Sequence, residues 1–322
     1  MADAGTDPRR GSRRRAHVGL IDTRGSAGRS VRRARFGRES ESVSCPLISA
    51  TTLADRLARE DTTLLDVRWD LAHGARRDLF AAGHIPGAVF IDLAAQLAGT
   101  PAPDGTGGRH PLPAAADFVG AMQAAGVWDD RLVVVYDGTG ALAAARAWWL
   151  LRHYGHSGVT VLDGGLDAWR AGGRPLAGGS GDTPQRGNFS GRPGVMPVLE
   201  AADAAMLARR GALLDARAAE RFRGDSEPVD PVAGHIPGAR NRPTTANLGP
   251  DGRFLTAAQL RSAFADAGAA DGAAIGVYCG SGVTAAHQVL ALELAGLAAA
   301  LYPGSWSDWV SDPARPVATG AG

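Results

Sequence analysis

Two successive α/β domains, each a parallel sheet flanked by helices on both faces, are expected from three features of the 322-residue sequence. The chain is about twice the usual domain length, which favours two cores over one. Four blocks of sequence recur in the same order further along it. Within each copy, strand-length apolar runs alternate with helix-length segments, the pattern of a parallel sheet covered by helices.

The repeats fix the layout. Leu64-Leu65-Asp66-Val67-Arg68 returns as Leu213-Leu214-Asp215-Ala216-Arg217, and Ala82-Gly83-His84-Ile85-Pro86-Gly87-Ala88 returns unchanged as Ala233-Gly234-His235-Ile236-Pro237-Gly238-Ala239. Val135-Tyr136-Asp137-Gly138-Thr139-Gly140 matches Val277-Tyr278-Cys279-Gly280-Ser281-Gly282, and Gly164 with Trp169 matches Gly304 with Trp309. So long a period means tandem duplication of a whole domain, not a solenoid. Strands are expected at Thr63 to Val67, Leu132 to Tyr136, Val159 to Leu162 and Ala274 to Tyr278. Helices are expected at Ala141 to Tyr154 and Thr284 to Leu297. The expected domains are 46–173 and 198–318, joined by a Gly/Pro/Ser-rich linker at 174–197. Residues 1–45, rich in Arg, Ser and Gly without apolar periodicity, read as a disordered tail.

Composition excludes several function classes. The net charge of +1 argues against a nucleic-acid-binding body, since the basic excess is concentrated in the tail. No apolar stretch is long enough for a membrane span or follows the Arg-rich start as an export signal requires. Two cysteines, Cys45 and Cys279, cannot form a disulfide framework in a chain of this length, so a cytoplasmic, reducing setting is expected. Neither a His/Cys ligand cluster nor a phosphate-binding fingerprint is present, and no metal or organic cofactor is expected.

The chemistry points to Cys279. It follows an apolar strand and precedes a helix, and open α/β sheets place ligands at that junction. The loop Cys279-Gly280-Ser281-Gly282-Val283-Thr284 has two glycines that let successive N–H groups turn inward, and the helix start adds a positive dipole end. Such a nest favours an anion, here the reactive thiolate or a terminal persulfide sulfur. Cysteine phosphatases need an Arg in this loop to clamp phosphate, and no residue from 280 to 285 is basic. Ser281 can stabilise developing charge or cap the following helix.

These residues together resemble the tandem rhodanese-domain sulfurtransferases, and among them the 3-mercaptopyruvate sulfurtransferases. His-Ile-Pro-Gly-Ala in both halves, Leu-Asp-Ala-Arg before the second, and Cys-Gly-Ser-Gly-Val-Thr-Ala at 279–285 carry the resemblance, over residues 46–318. It implies two tandem rhodanese-like domains with a catalytic second domain and a first that has lost its cysteine, as Asp137 does here. It also implies that Arg221, in Glu220-Arg221-Phe222-Arg223-Gly224, holds the donor carboxylate, and that His84 approaches the cleft from the facing domain. His235 is read as a structural hydrogen-bonding residue of its turn. Mercaptopyruvate enzymes often have a second Arg shortly after a Glu-Pro pair, whereas Val229 follows Glu227-Pro228 here.

The function expected is sulfur transfer from 3-mercaptopyruvate, through a Cys279 persulfide, to cyanide or a thiol such as thioredoxin. A thiosulfate donor and a non-turnover persulfide carrier or sensor remain open. Asp66, Arg68, Asp215 and Arg217 are expected to make polar contacts within each domain, and Trp69, Trp169, Trp306 and Trp309 to pack cores and the interface.

Overall fold

The structure, a computed structural model, describes residues 45–59, 62–138 and 140–321. The expected tail, apart from Cys45, lies outside them. Both sheets belong to one unit, residues 42–322.

The first half contributes β1 (Leu47–Ile48), β2 (Thr62–Asp66), a small antiparallel hairpin of β3 (Trp69–Asp70) and β4 (Gly74–Ala75), then β5 (Ala88–Phe90), β6 (Leu132–Tyr136) and β7 (Val159–Leu162). Its main sheet runs β1-β7-β6-β2-β5, all pairs parallel. The second half contributes β8 (Ala212–Asp215), β9 (Arg240–Asn241), β10 (Ile275–Tyr278) and β11 (Ala300–Leu301). This sheet runs β11-β10-β8-β9, again parallel throughout. Each sheet is buried on both faces, which is why its central strands are continuous apolar runs. Along β6, Val133 and Val135 face one core while Val134 and Tyr136 face another, the two-residue period of a strand.

One of these cores is shared by the two halves. The helices Ala144–His153 and Val283–Leu294 pack on each other between the sheets, with Trp148, Trp149, Leu290 and Ala291 fully buried. These helices are enclosed on most sides: Ala145, Ala147, Leu150 and Leu151 of the first and Ala285, Ala286, Val289 and Leu292 of the second are buried as well, together with the polar Arg146, His287 and Gln288. The first of these helices begins at Ala144 rather than at Ala141. The Asp137 carboxylate accepts hydrogen bonds from the amides of Ala141 (2.9 Å), Ala143 (2.9 Å) and Ala144 (3.0 Å), and Ala141 takes a φ of 67°.

The strand ends are tied by the expected contacts, in both halves alike. Arg68 forks onto Asp66 and donates to the Gly83 carbonyl at 2.9 Å; Arg217 forks onto Asp215 and donates to the Gly234 carbonyl at 2.6 Å. Trp169, Trp306 and Trp309 are core residues. No helix among the described residues is long and apolar enough to cross a membrane.

Candidate active site

Cys279 follows the last residue of β10 and lies on the wall of a cleft of about 440 Å3 between the two halves, within the usual size range of small-molecule sites. Gly280, Ser281, Val283, Thr284 and Arg221 share that cleft from the second half, while Trp69, Leu71, Arg109 and Leu142 line it from the first. Cys279 is only 2% exposed, and the cleft is where it meets solvent.

The loop turns one amide inward. Gly282 donates from its N–H to Cys279 Sγ at 3.1 Å. This requires glycine, because φ is +76° there and a Cβ would sit 2.3 Å from the Pro303 carbonyl oxygen. The Cys279 amide donates to Ser305 Oγ at 3.1 Å, and the Ser305 hydroxyl donates to the Tyr302 carbonyl, so the first residue of the helix Ser305–Trp309 braces the loop from behind. Ser305 holds a φ of 55°, unusual for a residue with a side chain. Asp137 shows what the equivalent nest of the first half does: it encloses a carboxylate, an anion covalently supplied by the chain.

Two arginines stand above the loop. Arg221 donates from Nε and Nη2 to Glu227 (3.0 and 2.6 Å) and from Nη2 to Asp230 (3.2 Å). Arg109 comes from the first half and pairs through Nη1 with the same Asp230. Burial pushes the Arg109 guanidinium down in pKa, and the negative charge available to Cys279 opposes that. A third arginine, Arg146, is completely buried in the helix Ala144–His153. It donates to the carbonyls of Gly282 (3.2 Å), Leu97 (3.3 Å) and His110 (3.0 Å), holding the Cys279 loop to the first half. Burial lowers its pKa to about 10, again against the pull of Cys279, so it stays a cation at neutral pH.

Ser281 does not cap the following helix, whose N-cap Gly282 has no side-chain partner. Its Oγ lies 2.8 Å from His110 Nδ1 of the first half. Burial first, then the charges of Arg146 and Arg109, push His110 down to about 4, so its ring is neutral at pH 7. His110 also meets Trp69 edge-on at 5.9 Å.

His84 requires a correction. Its Nδ1 is 2.9 Å from the Phe80 carbonyl, its ring stacks on Phe80 at 3.8 Å, and it is 2% exposed, away from the cleft. His235 does the same against Phe222, at 2.8 and 3.7 Å. Both rings are locked inside their own domains by stacking and one hydrogen bond. The first-half histidine at the Cys279 loop is His110, which, with Arg109, Arg146 and Ser305, sequence reasoning missed. Arg109, His110 and Arg146 lie outside the repeated blocks, and Ser305, inside the Gly304 to Trp309 block, stands where the first half has Gly165. Among the described residues no cluster of His, Cys, Asp and Glu could hold a metal ion.

The Rhodanese-like domain matches residues 49–172 and again 200–312. A Pseudomonas aeruginosa protein named probable 3-mercaptopyruvate sulfurtransferase is 48% identical over 287 residues, covering 86% of this chain and 99% of its own length. A Mycobacterium tuberculosis protein named putative thiosulfate sulfurtransferase SseB is 44% identical over 290 residues, covering 85% and 97%. The crystal structure of the Escherichia coli 3-mercaptopyruvate enzyme SseA superposes with a TM-score of 0.72 at 33% identity, covering 82% of this chain and 99% of that one.

Proposed function

The chain belongs to the rhodanese family and is a sulfurtransferase, and from that premise we propose that its donor is 3-mercaptopyruvate and that Cys279 carries the sulfur as a persulfide. The observation that carries this reading is the Gly282 N–H directed at Cys279 Sγ on the wall of a cleft roofed by arginine.

The Cys279 thiolate attacks the donor thiol sulfur, forming the S–S bond. The donor C–S bond breaks, its electron pair passing to the enolate of pyruvate, which then takes up a proton. The thiol hydrogen stays on the new terminal sulfur. Arg221 orients the donor carboxylate through its planar fork. The Ser281 hydroxyl donates to the developing enolate oxygen, and neutral His110, in the tautomer that carries its proton on Nδ1, donates to Ser281 Oγ and so leaves the hydroxyl hydrogen to that oxygen. The buried Arg146 cation and the Gly282 amide favour the charged sulfur before attack and the persulfide afterwards. Cyanide, a small thiol or a protein thiol such as thioredoxin then removes the outer sulfur. Such chemistry asks for the cytoplasm, where thiols remain reduced.

Thiosulfate is the second reading for the donor, favoured by the name of the mycobacterial relative. Pyruvate release from 3-mercaptopyruvate and sulfite release from thiosulfate, compared as kcat/KM, decide between them. A higher value for thiosulfate overturns the donor assignment; one bound sulfur with no turnover of either donor makes the chain a persulfide carrier.

A further inference from the structure

The donor carboxylate needs more than Arg221, and the sequence has Val229 where the family resemblance would put a second arginine. We infer that Arg109 supplies it from the other half of the molecule, so that the donor is clasped by one guanidinium from each domain. This inference rests on the donor reading above and names a binding residue for it.

The two arginines converge. Glu227 takes Nε and Nη2 of Arg221, and Asp230 bridges Arg221 Nη2 to Arg109 Nη1. Arg221 Nη1 and Arg109 Nη2 have no carboxylate partner among the described residues. They meet over Gly280: a Cβ placed there would lie 3.2 Å from Arg109 Nη2 and 3.6 Å from Arg221 Nη1. Glycine leaves that space open beside Cys279, and two planar cations on its far side suit a carboxylate. The buried Asp230 and Glu227 carboxylates hold the forks at their outer edges and leave the inner edges to the ligand. The Arg109 side chain is 32% exposed, so the cleft reaches it.

Its backbone is fixed on the second half. The Arg109 amide donates to Ser307 Oγ at 3.1 Å, and the Gly107 amide to Asp308 Oδ1 at 2.8 Å. Gly108, with a φ of +78°, passes so close that a Cβ would lie 2.4 Å from the Gly304 carbonyl oxygen. The first half thus delivers a binding residue to an active site built on the second. This gives a half without a catalytic cysteine a part in donor recognition.

The test is Arg109→Gln, with Arg109→Lys beside it, assayed with 3-mercaptopyruvate and with 1-mercaptopropan-2-one, the same thiol ketone without the carboxylate. Arg109→Gln should raise KM for 3-mercaptopyruvate about 10- to 100-fold, the worth of a charge-assisted hydrogen bond, with kcat changed less. Arg109→Lys should recover part of that, and neither variant should alter the carboxylate-free donor. An unchanged KM, or an equal loss with both donors, overturns the inference, the second because it marks a purely structural pair with Asp230. Calorimetric titration of pyruvate into both proteins separates this from the donor assignment. If the wild type does not turn over 3-mercaptopyruvate, the donor reading falls, yet weaker pyruvate binding by Arg109→Gln still supports the arginine's role. Equal binding by the two proteins, or none by the wild type, overturns it.

Discussion

His110 Nδ1 of the first half and Ser281 Oγ of the Cys279 loop are 2.8 Å apart, although 171 residues separate them in sequence. The pair joins the half that has Asp137 at the strand end to the loop that holds Cys279, so the two side chains meet only when the halves are docked.

That pairing has a kinetic signature. Ser281→Ala and His110→Gln should each lower kcat by about 10- to 100-fold. The double variant should be no slower than the worse single one, because residues acting as a unit are not additive. Steady-state kinetics of the four proteins make the cycle. Multiplying losses would show that the two side chains act separately.

The same histidine sets an acid limit. With His110 held at about 4 by burial and by Arg146 and Arg109, its titration should enter the rate only near pH 4, so wild type and His110→Gln should share the same shape of pH–rate profile between pH 7 and 5. An ordinary histidine would give a decline near 6.5. An acid limb near 6.5 that disappears in His110→Gln contradicts the assigned role.

Stability should weaken as pH falls below about 6.5. His287 is fully buried and stacked on Phe254, and burial pushes it down to about 3. A histidine lowered on folding contributes its full stability above the unfolded value of about 6.5. That contribution is lost as pH falls toward the folded value, because the unfolded chain binds the proton first. The loss is up to about 1.4 kcal/mol per pH unit for each such histidine. Tm should therefore drop between pH 6.5 and 5, and less steeply in His287→Leu; equal slopes would remove His287 from the account.

What the sequence revealed and what it hid follow from how each residue is placed. Cys279 and its loop are legible because strand, glycine turn and helix are contiguous, and because the first half repeats them around Asp137. Arg221 is legible because it stays in the stretch just after β8. Arg109 and His110 sit in the irregular stretch before Pro111, with no counterpart among the repeats, and acquire meaning only by docking onto Ser307 and Ser281. Arg146 reads as an ordinary helix residue until the packing of the two central helices buries it. His84 misled for the opposite reason: a shared motif suggested a shared site, but stacking on Phe80 decides where the ring points.

The Asp137 nest should matter for folding and not for turnover. Asp137→Ala strips the partner from three amides at the start of a buried helix, which should cost about 2–4 kcal/mol in urea unfolding. Stability unchanged within error would mean that these amides find other partners.

The central claim is that Cys279 takes up one sulfur atom, and intact-protein mass spectrometry after brief incubation with 3-mercaptopyruvate without acceptor reads it directly. The wild type should gain the mass of a single sulfur, removed by cyanide, and Cys279→Ser should gain nothing. A sulfur adduct retained by Cys279→Ser, or none on the wild type while pyruvate is released, would contradict the mechanism.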